Sequence, residues 1–451
     1  MDTTGEGQRG TAELKAIMMI DYTHDAAARS WLESANAGHT PFPIHNLPLG
    51  CIEGRISVAI GDSVLALPDA LERGLLRQLS PPLREALRQP TLNAVFALGR
   101  SDLRALRHEL FELFREDSEH RQQASTCLRP LASSEAGLPC AIGDYTDFFA
   151  SLNHARNTFA IFRGSQTFLP NYKHVPIAYH GRSSSIFASP RDFARPSGQV
   201  RPAPDEPPIV SPTAKLDFEV ELGFWVGAGS AHGEPVPLDE AEKHLAGVCI
   251  LNDWSARDIQ AWESQPLGPF LSKNFISVVS PWVVTMDALE PFRSPLPARA
   301  KEDPPPQPYL DSASNSSAGA FSIRIETRIQ TERMRALGHP PAVVAHANAA
   351  RDLYWTPAQM VAHHTIGGCN LRPGDLIGTG TVSGPEPGTE GSLLERTGNG
   401  ARPITLPGGE TRSFLEDGDE VTITAWCEAP GRRSIGLGEC RGRILDRGTR
   451  Q

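Results

Sequence analysis

The sequence predicts a mainly β protein with some α, divided into a small leading domain and a larger second domain. Three observations carry this. At 451 residues the chain is too long for one ordinary core. Within residues 42–67, two short apolar runs in RISVAIGDSVLAL flank Gly61-Asp62, the pattern of a hairpin. From Lys215 to Val226, KLDFEVELGFWV alternates Leu216, Phe218, Val220 and Leu222 with Asp217, Glu219, Glu221 and Gly223, the period of two that makes a strand with an oily and a polar face.

Composition sets limits on function. Hydrophobic residues at 39% and charged residues at 21% are ordinary globular usage, so a folded soluble chain is expected. A net charge of −10 without any dense Lys/Arg run excludes a nucleic-acid partner, and an acidic ligand would need a local cationic pocket. Seven widely spread cysteines without a C-x-x-C pair read as reduced, buried thiols of a cytoplasmic protein. The N-terminus lacks a basic segment followed by an apolar core, so no secretory signal is read there. No run approaches the roughly 18 apolar residues of a membrane helix. Residues 1–40 read as an extension whose first dozen are expected to be disordered, with Met18 or Met19 as alternative starts.

Taken in order, residues 68–89 and 103–123 carry helical spacing, and Pro90-Thr91-Leu92-Asn93 opens another short helix. No reactive side chains converge in this leading part, which reads as scaffolding or dimerising. After a loop at 132–139, Thr146 or Asp147 caps a helix expected to run to about Ile161. That would put Asp147 and His154 on one face, about 10 Å apart along the axis. A lone His is usually surface or satisfied core; beside an acid it becomes a candidate base. Residues 164–213, dense in Pro, Gly and Ser, read as a connector of the kind that also carries binding residues. Gly227, Gly229 and Gly233 leave three residues before the last glycine and precede Pro235, so a hairpin turn is expected there and a dinucleotide loop is not.

In GVCILNDWSARDIQAWE a buried run leads to a helix capped by Asn252 or Asp253, which would align Asp253, Arg257 and Gln260. A cap followed by a surface salt pair is the plain alternative. Lys273 stands at an expected strand edge, residues 287–320 punctuate the domain, and FSIRIETRI resumes a strand. Near the end, Thr381 follows Gly380 in a glycine-rich stretch, with Glu395 a little beyond. H-E-x-x-H, G-x-S-x-G and G-x-x-x-x-G-K-[ST] are absent, which removes zinc peptidases, serine hydrolases and P-loop enzymes. An acidic strand can simply face solvent. Should Asp147, Glu219, Glu221 and Asp253 instead converge, their mutual repulsion requires a hard divalent ion, and all-oxygen ligation selects Mg²⁺ or Ca²⁺. His154 could then deprotonate a water while Arg257, Gln260 and Lys273 offset developing negative charge, the outline of a hydrolase without a serine.

GDYTDF with His154 seven residues after its second Asp, D-x-E-x-E, LNDWSARDIQ-x-W-E, PLGPF and LRPGDL-x-x-x-GT-x-SGPEP together resemble the fumarylacetoacetase family. The similarity runs from PFPIHNLP to GECRGRIL, most of the chain. It implies an SH3-like N-terminal domain at 41–135 and a catalytic mixed β-roll domain at 141–451. It also implies a homodimer acting on a small diketo acid without an organic cofactor. The implied reaction is cleavage of 4-fumarylacetoacetate to fumarate and acetoacetate, the last step of tyrosine breakdown. Carried over by position, the metal carboxylates are Asp147, Glu219, Glu221 and Asp253, with Lys273 and Ser277 beside the ion. The base is His154, oriented by Glu395; Arg257, Gln260 and Lys273 stabilise charge; Arg163, Tyr179 and Thr381 hold substrate.

Phe149 and Ser264 stand where the family pattern has substrate-touching tyrosines, and Ile276-Ser277 replaces Gly-Thr. Each lost phenol removes a hydrogen bond worth about 1 kcal/mol net. The resemblance leaves two rivals: another activity of the superfamily (acylpyruvate hydrolase, decarboxylase or isomerase), or a non-catalytic calcium-binding scaffold.

Overall fold

The two runs around Gly61-Asp62 form antiparallel neighbours, β2 (Arg55–Ile60) and β3 (Ser63–Ala66), preceded by β1 (Leu49–Ile52). With β4 (Leu128–Pro130) and β5 (Ala136–Gly137) they make an antiparallel sheet in the order β4-β3-β2-β1-β5. The helical spacing that follows yields short helices at Leu67–Glu72, Pro81–Ala86 and Asn93–Ala97 and one long helix, α1 (Arg100–Phe114). α1 buries Leu103, Leu106, Leu110, Leu113 and Phe114, the stripe expected of an amphipathic helix. The structure, a computed structural model, describes residues 20–445; the expectations about Met18, Met19 and the first dozen residues lie outside the described residues.

The rest of the chain builds two larger sheets and is mixed α/β with sheet predominating. Its strands are β6 (Tyr145–Phe148), β7 (Ala178–Gly181), β8 (Ile186–Ala188), β9 (Arg191–Ala194), β10 (Val220–Val226), β11 (Leu245–Asn252) and β12 (Ser277–Val279). Further on come β13 (Ile323–Gln330), β14 (Ala342–Asn348), β15 (Leu376–Gly378), β16 (Glu420–Cys427) and β17 (Ile435–Leu445). The eight-stranded sheet runs β7-β6-β15-β10-β11-β12-β8, with Val284–Thr285 also paired to β11. The five-stranded sheet runs β14-β13-β16-β17-β9.

Every residue of β10 and β11 is buried, because each face of the larger sheet is covered. Val220, Leu222, Phe224 and Val226 pack with Ile325, Val421 and Ile423 of the five-stranded sheet. On the opposite face Trp225, Cys249, Leu251 and Leu376 pack with the core of the leading segment, including Leu103 and Leu106. The strand that alternation alone would leave half-exposed therefore has a roof over its polar side.

Several local expectations fail. Residues 145–148 are strand where a helix was expected, because pairing Tyr145, Thr146 and Asp147 alongside Leu376, Ile377 and Gly378 commits their backbone to a parallel ladder. The helix begins only at α2 (Leu152–Arg163), so Asp147 and His154 share no helical face. Likewise Asn252 ends β11, Asp253 lies in the link, and α3 (Arg257–Glu263) starts at Arg257 with Ala256 at its cap. Asp253 is thus neither a cap nor on the face of Arg257 and Gln260. The segment 164–213 holds β7, β8 and β9 besides a hairpin of Ser197–Val200 with Ile209–Pro212. β10 and β11 are antiparallel neighbours as a hairpin demands, but their connection includes a helical turn at Leu238–Ala241. All seven cysteines are free; six are buried and Cys369 is exposed, which corrects the expectation that all are buried. Among the described residues no helix is long and apolar enough to cross a membrane.

Candidate metal and catalytic centre

Side chains two apart on a strand share a face, and that rule gathers the acids. Tyr145 and Asp147 on β6, Glu221 and Trp225 on β10, and Leu251 followed by Asp253 all belong to the roofed face. Between β6 and β10 runs β15, whose Gly378 sits opposite Asp147 on one side and Gly223 on the other. A Cβ at Gly378 would lie 2.8 Å from Asp147 Oδ1 and 3.2 Å from Glu221 Oε2, so the missing side chain is the space that these carboxylates fill. Ligand oxygens of Asp147, Glu221 and Asp253 lie within 4.8 Å of one another, all buried.

Their partners are unequal. Asp253 Oδ1 accepts from Ser277 Oγ at 2.7 Å, and its Oδ2 accepts from Lys273 Nζ at 2.8 Å and Tyr179 OH at 2.9 Å. Asp147 Oδ1 accepts from the Gly380 amide at 3.1 Å. Neither oxygen of Glu221 has a partner, although both are buried. Burial and then the negative neighbours Asp147 and Asp253 push the Glu221 carboxyl well up. Burial and then Asp253 do the same to Asp147. Buried, orphaned, mutually repelling oxygens are what a hard divalent cation satisfies, so the residues present fit such an ion.

Glu219 stands apart from this group and faces the cations. Its Oε1 accepts from Arg257 Nη1 at 2.6 Å, and its Oε2 accepts from Lys273 Nζ. Burial opposes its ionisation, but Lys273 and Arg257 overcome that and hold the carboxyl well below the usual range. Lys273 in turn is held protonated against burial by Asp253 and Glu219. Arg257 Nη1 also donates to Gln260 Oε1 at 3.1 Å, and its Nη2 is buried without a partner.

The base candidate lies on α2. His154 is buried, and its Nδ1 donates to Glu395 Oε2 at 2.7 Å, which leaves Nε2 as the acceptor. Glu395 belongs to the short helix α4 (Leu393–Arg396). Ser392 Oγ at 2.8 Å and Ser383 Oγ at 3.0 Å donate to the same oxygen, and Asn157 Nδ2 donates to Oε1 at 2.9 Å. Burial works against the Glu395 charge, yet His154 and these donors hold its carboxyl low. The result is a fixed carboxylate–imidazole pair. His154 and Glu219 are near enough for their charges to interact, which sets the pair close to the group built on Glu219, Arg257 and Lys273.

Residues 145–445 match the family model "Fumarylacetoacetate (FAA) hydrolase C-terminal", and residues 45–139 match "Fumarylacetoacetase N-terminal". The chain is 44% identical to the fumarylacetoacetase of Oryza sativa subsp. japonica, over 92% of this chain and 97% of that protein. The chain belongs to the fumarylacetoacetase family. The Homo sapiens fumarylacetoacetase is 43% identical over 91% of this chain and 97% of its own length. That of Emericella nidulans is 44% identical over 92% and 98%.

In this fumarylacetoacetase-family chain the remaining site residues divide. Tyr179, Ser277 and Lys273 touch Asp253 directly. Thr381 is buried with its hydroxyl unpartnered. The Phe149 ring meets His154 edge-on, with centroids 5.2 Å apart. Ser264 turns its hydroxyl back onto the Gln260 carbonyl, and exposed Arg163 lies over the Phe159 ring. Sequence reasoning missed Asn157, Ser383 and Ser392, which hold Glu395. Ser392 was legible, since Ser392 and Glu395 have the S-x-x-E spacing of a helix start. Ser383 carried no local signal.

Proposed function

We propose that the chain hydrolyses the carbon–carbon bond of 4-fumarylacetoacetate, giving fumarate and acetoacetate. The observation that carries this reading is a buried His154–Glu395 pair together with a cluster of three buried carboxylates, in a chain 44% identical to a fumarylacetoacetase over nearly its full length. Asp147, Glu221 and Asp253, with Glu219 alongside, would hold Mg²⁺ or Ca²⁺, which when bound supplies Lewis-acid polarisation of a substrate carbonyl. His154 Nε2 takes a proton from water as its oxygen bonds to a carbonyl carbon of the diketone, and Glu395 stabilises the imidazolium. The carbon–carbon bond then breaks and its electron pair leaves as an enolate. Lys273, Arg257 and Gln260 offset that charge, and a proton returns to the enolate carbon. Tyr179, Thr381 and Arg163 orient the substrate, with Phe149 and Ser264 setting its preference.

The same reading takes the strands β4-β3-β2-β1, with β5 just beyond, as an SH3-like barrel over 41–135, and the sheets after residue 141 as a β-roll. It places the protein in the cytoplasm as a homodimer, supported by exposed Leu267, Phe270 and Leu271, apolar surface that a second copy would cover. Incubation of pure protein with fumarylacetoacetate and Mg²⁺ tests the activity. Loss of the diketone absorbance with release of both acids is expected. No such loss, with turnover of acylpyruvates instead, would overturn it.

A further inference from the structure

We infer that Asp217 is a positioning residue that joins the two halves of the site: the His154–Glu395 pair and the cationic group built on Arg257. The inference rests on the hydrolytic reading above. Asp217 is the first acid of the D-x-E-x-E strand, yet it lies outside the group of three carboxylates that can hold an ion. It is fully buried, at 0% exposure, and all of its acceptor capacity is used. Oδ1 accepts from the Leu393 amide at 2.8 Å and the Phe218 amide at 2.9 Å. Oδ2 accepts from the Leu394 amide at 2.9 Å and Arg257 Nε at 2.9 Å. Leu393 and Leu394 are the first two residues of α4, and Glu395 is the third. One carboxylate therefore fixes where the Glu395 helix begins and which way the Arg257 fork points. Arg257 is then aimed, through Nη1, at Glu219 and Gln260.

A charge that only stabilised the fold would change the amount of folded enzyme and leave each folded molecule as active as before. A joint between base and cation changes the turnover of folded molecules. Asp217→Asn keeps the shape but turns an N–H₂ donor toward amides or a guanidinium that need an acceptor. With turnover of fumarylacetoacetate by the unaltered protein established first, Asp217→Asn and Asp217→Glu are assayed well below their unfolding temperatures. A fall in kcat of at least tenfold with KM changed less than threefold is expected. A smaller further loss is expected when Asp217→Asn is added to Glu395→Gln. Folded variants with unchanged kcat, while the parent is active, would overturn the inference. An inactive parent would instead overturn the hydrolytic reading. Hydrogen exchange on the unaltered protein decides the matter even if neither variant folds. The Leu393 and Leu394 amides should exchange as slowly as those of β10, and exchange as fast as a loop would overturn the inference.

Discussion

At the residue scale the centre is a problem of unpaired charge. Glu221 has two buried oxygens without a donor, between Asp147 and Asp253. Glu221→Gln should raise the melting temperature of the ion-free protein, because burial and two acidic neighbours oppose ionisation of that carboxyl and an amide carries no charge. It should also weaken Mg²⁺ or Ca²⁺ binding at least tenfold by calorimetry. Gly378→Ala should weaken ion binding through sterics alone, since its Cβ would fall 2.8 Å from Asp147 Oδ1. His154→Ala should lower kcat by roughly 10²–10⁴-fold with ion affinity kept, the size of a lost general base. A scaffold without catalysis would show no change. The acids and the imidazole were legible in the sequence because chemistry restricts which residue types can do this work. Gly378 was not, because its contribution is a void that exists only once three strands are side by side.

At the element scale, helices and strands diverge in how far local rules carry. The β2–β3 hairpin and the α1 stripe follow from nearest-neighbour patterns; the hairpin formed where the pattern put it, while the helical stretch expected over 103–123 is broken after Phe114 and resumes only as a short helix at Arg121–Ser125. Residues 145–148 were misread because capping logic is local, whereas pairing with β15 is made by residues far along the chain. The leading segment carries its own acid sensitivity. Burial, reinforced by Arg107 and Arg433, holds buried His45 down at about 4 from 6.5, over an opposing hydrogen bond from Nε2 to the Asp25 carbonyl. The unfolded chain takes up that proton first, so stability should fall as pH drops from 6.5 towards 4 and level off below. The loss is about 3 kcal/mol. Asp21, held at about 2 by bonds from Thr23 and His108 that outweigh burial, adds a further loss between 3.8 and 2. Urea titrations across pH should show this slope, and His45→Gln should flatten its upper part.

At the scale of the whole molecule, the leading segment and the five-stranded sheet enclose the larger sheet from opposite sides. Composition and alternation announced strands and an acidic face, but not that this face would be covered: the leading segment packs on its Trp225 end, and Tyr179, Lys273, Ser277 and Gly380 close around the acids. A saturating ion should stabilise the protein by about 2.7 kcal/mol at a hundred times its Kd, read as a rise in melting temperature that Glu221→Gln cuts to about half or less. The roof over the acids has a cellular corollary. Without an ion, folding must bring like charges together in a closed space, so removing the bound ion should lower the standing fraction of native molecules. Ion supply would then set how much of this protein survives quality control, in addition to how fast each copy works.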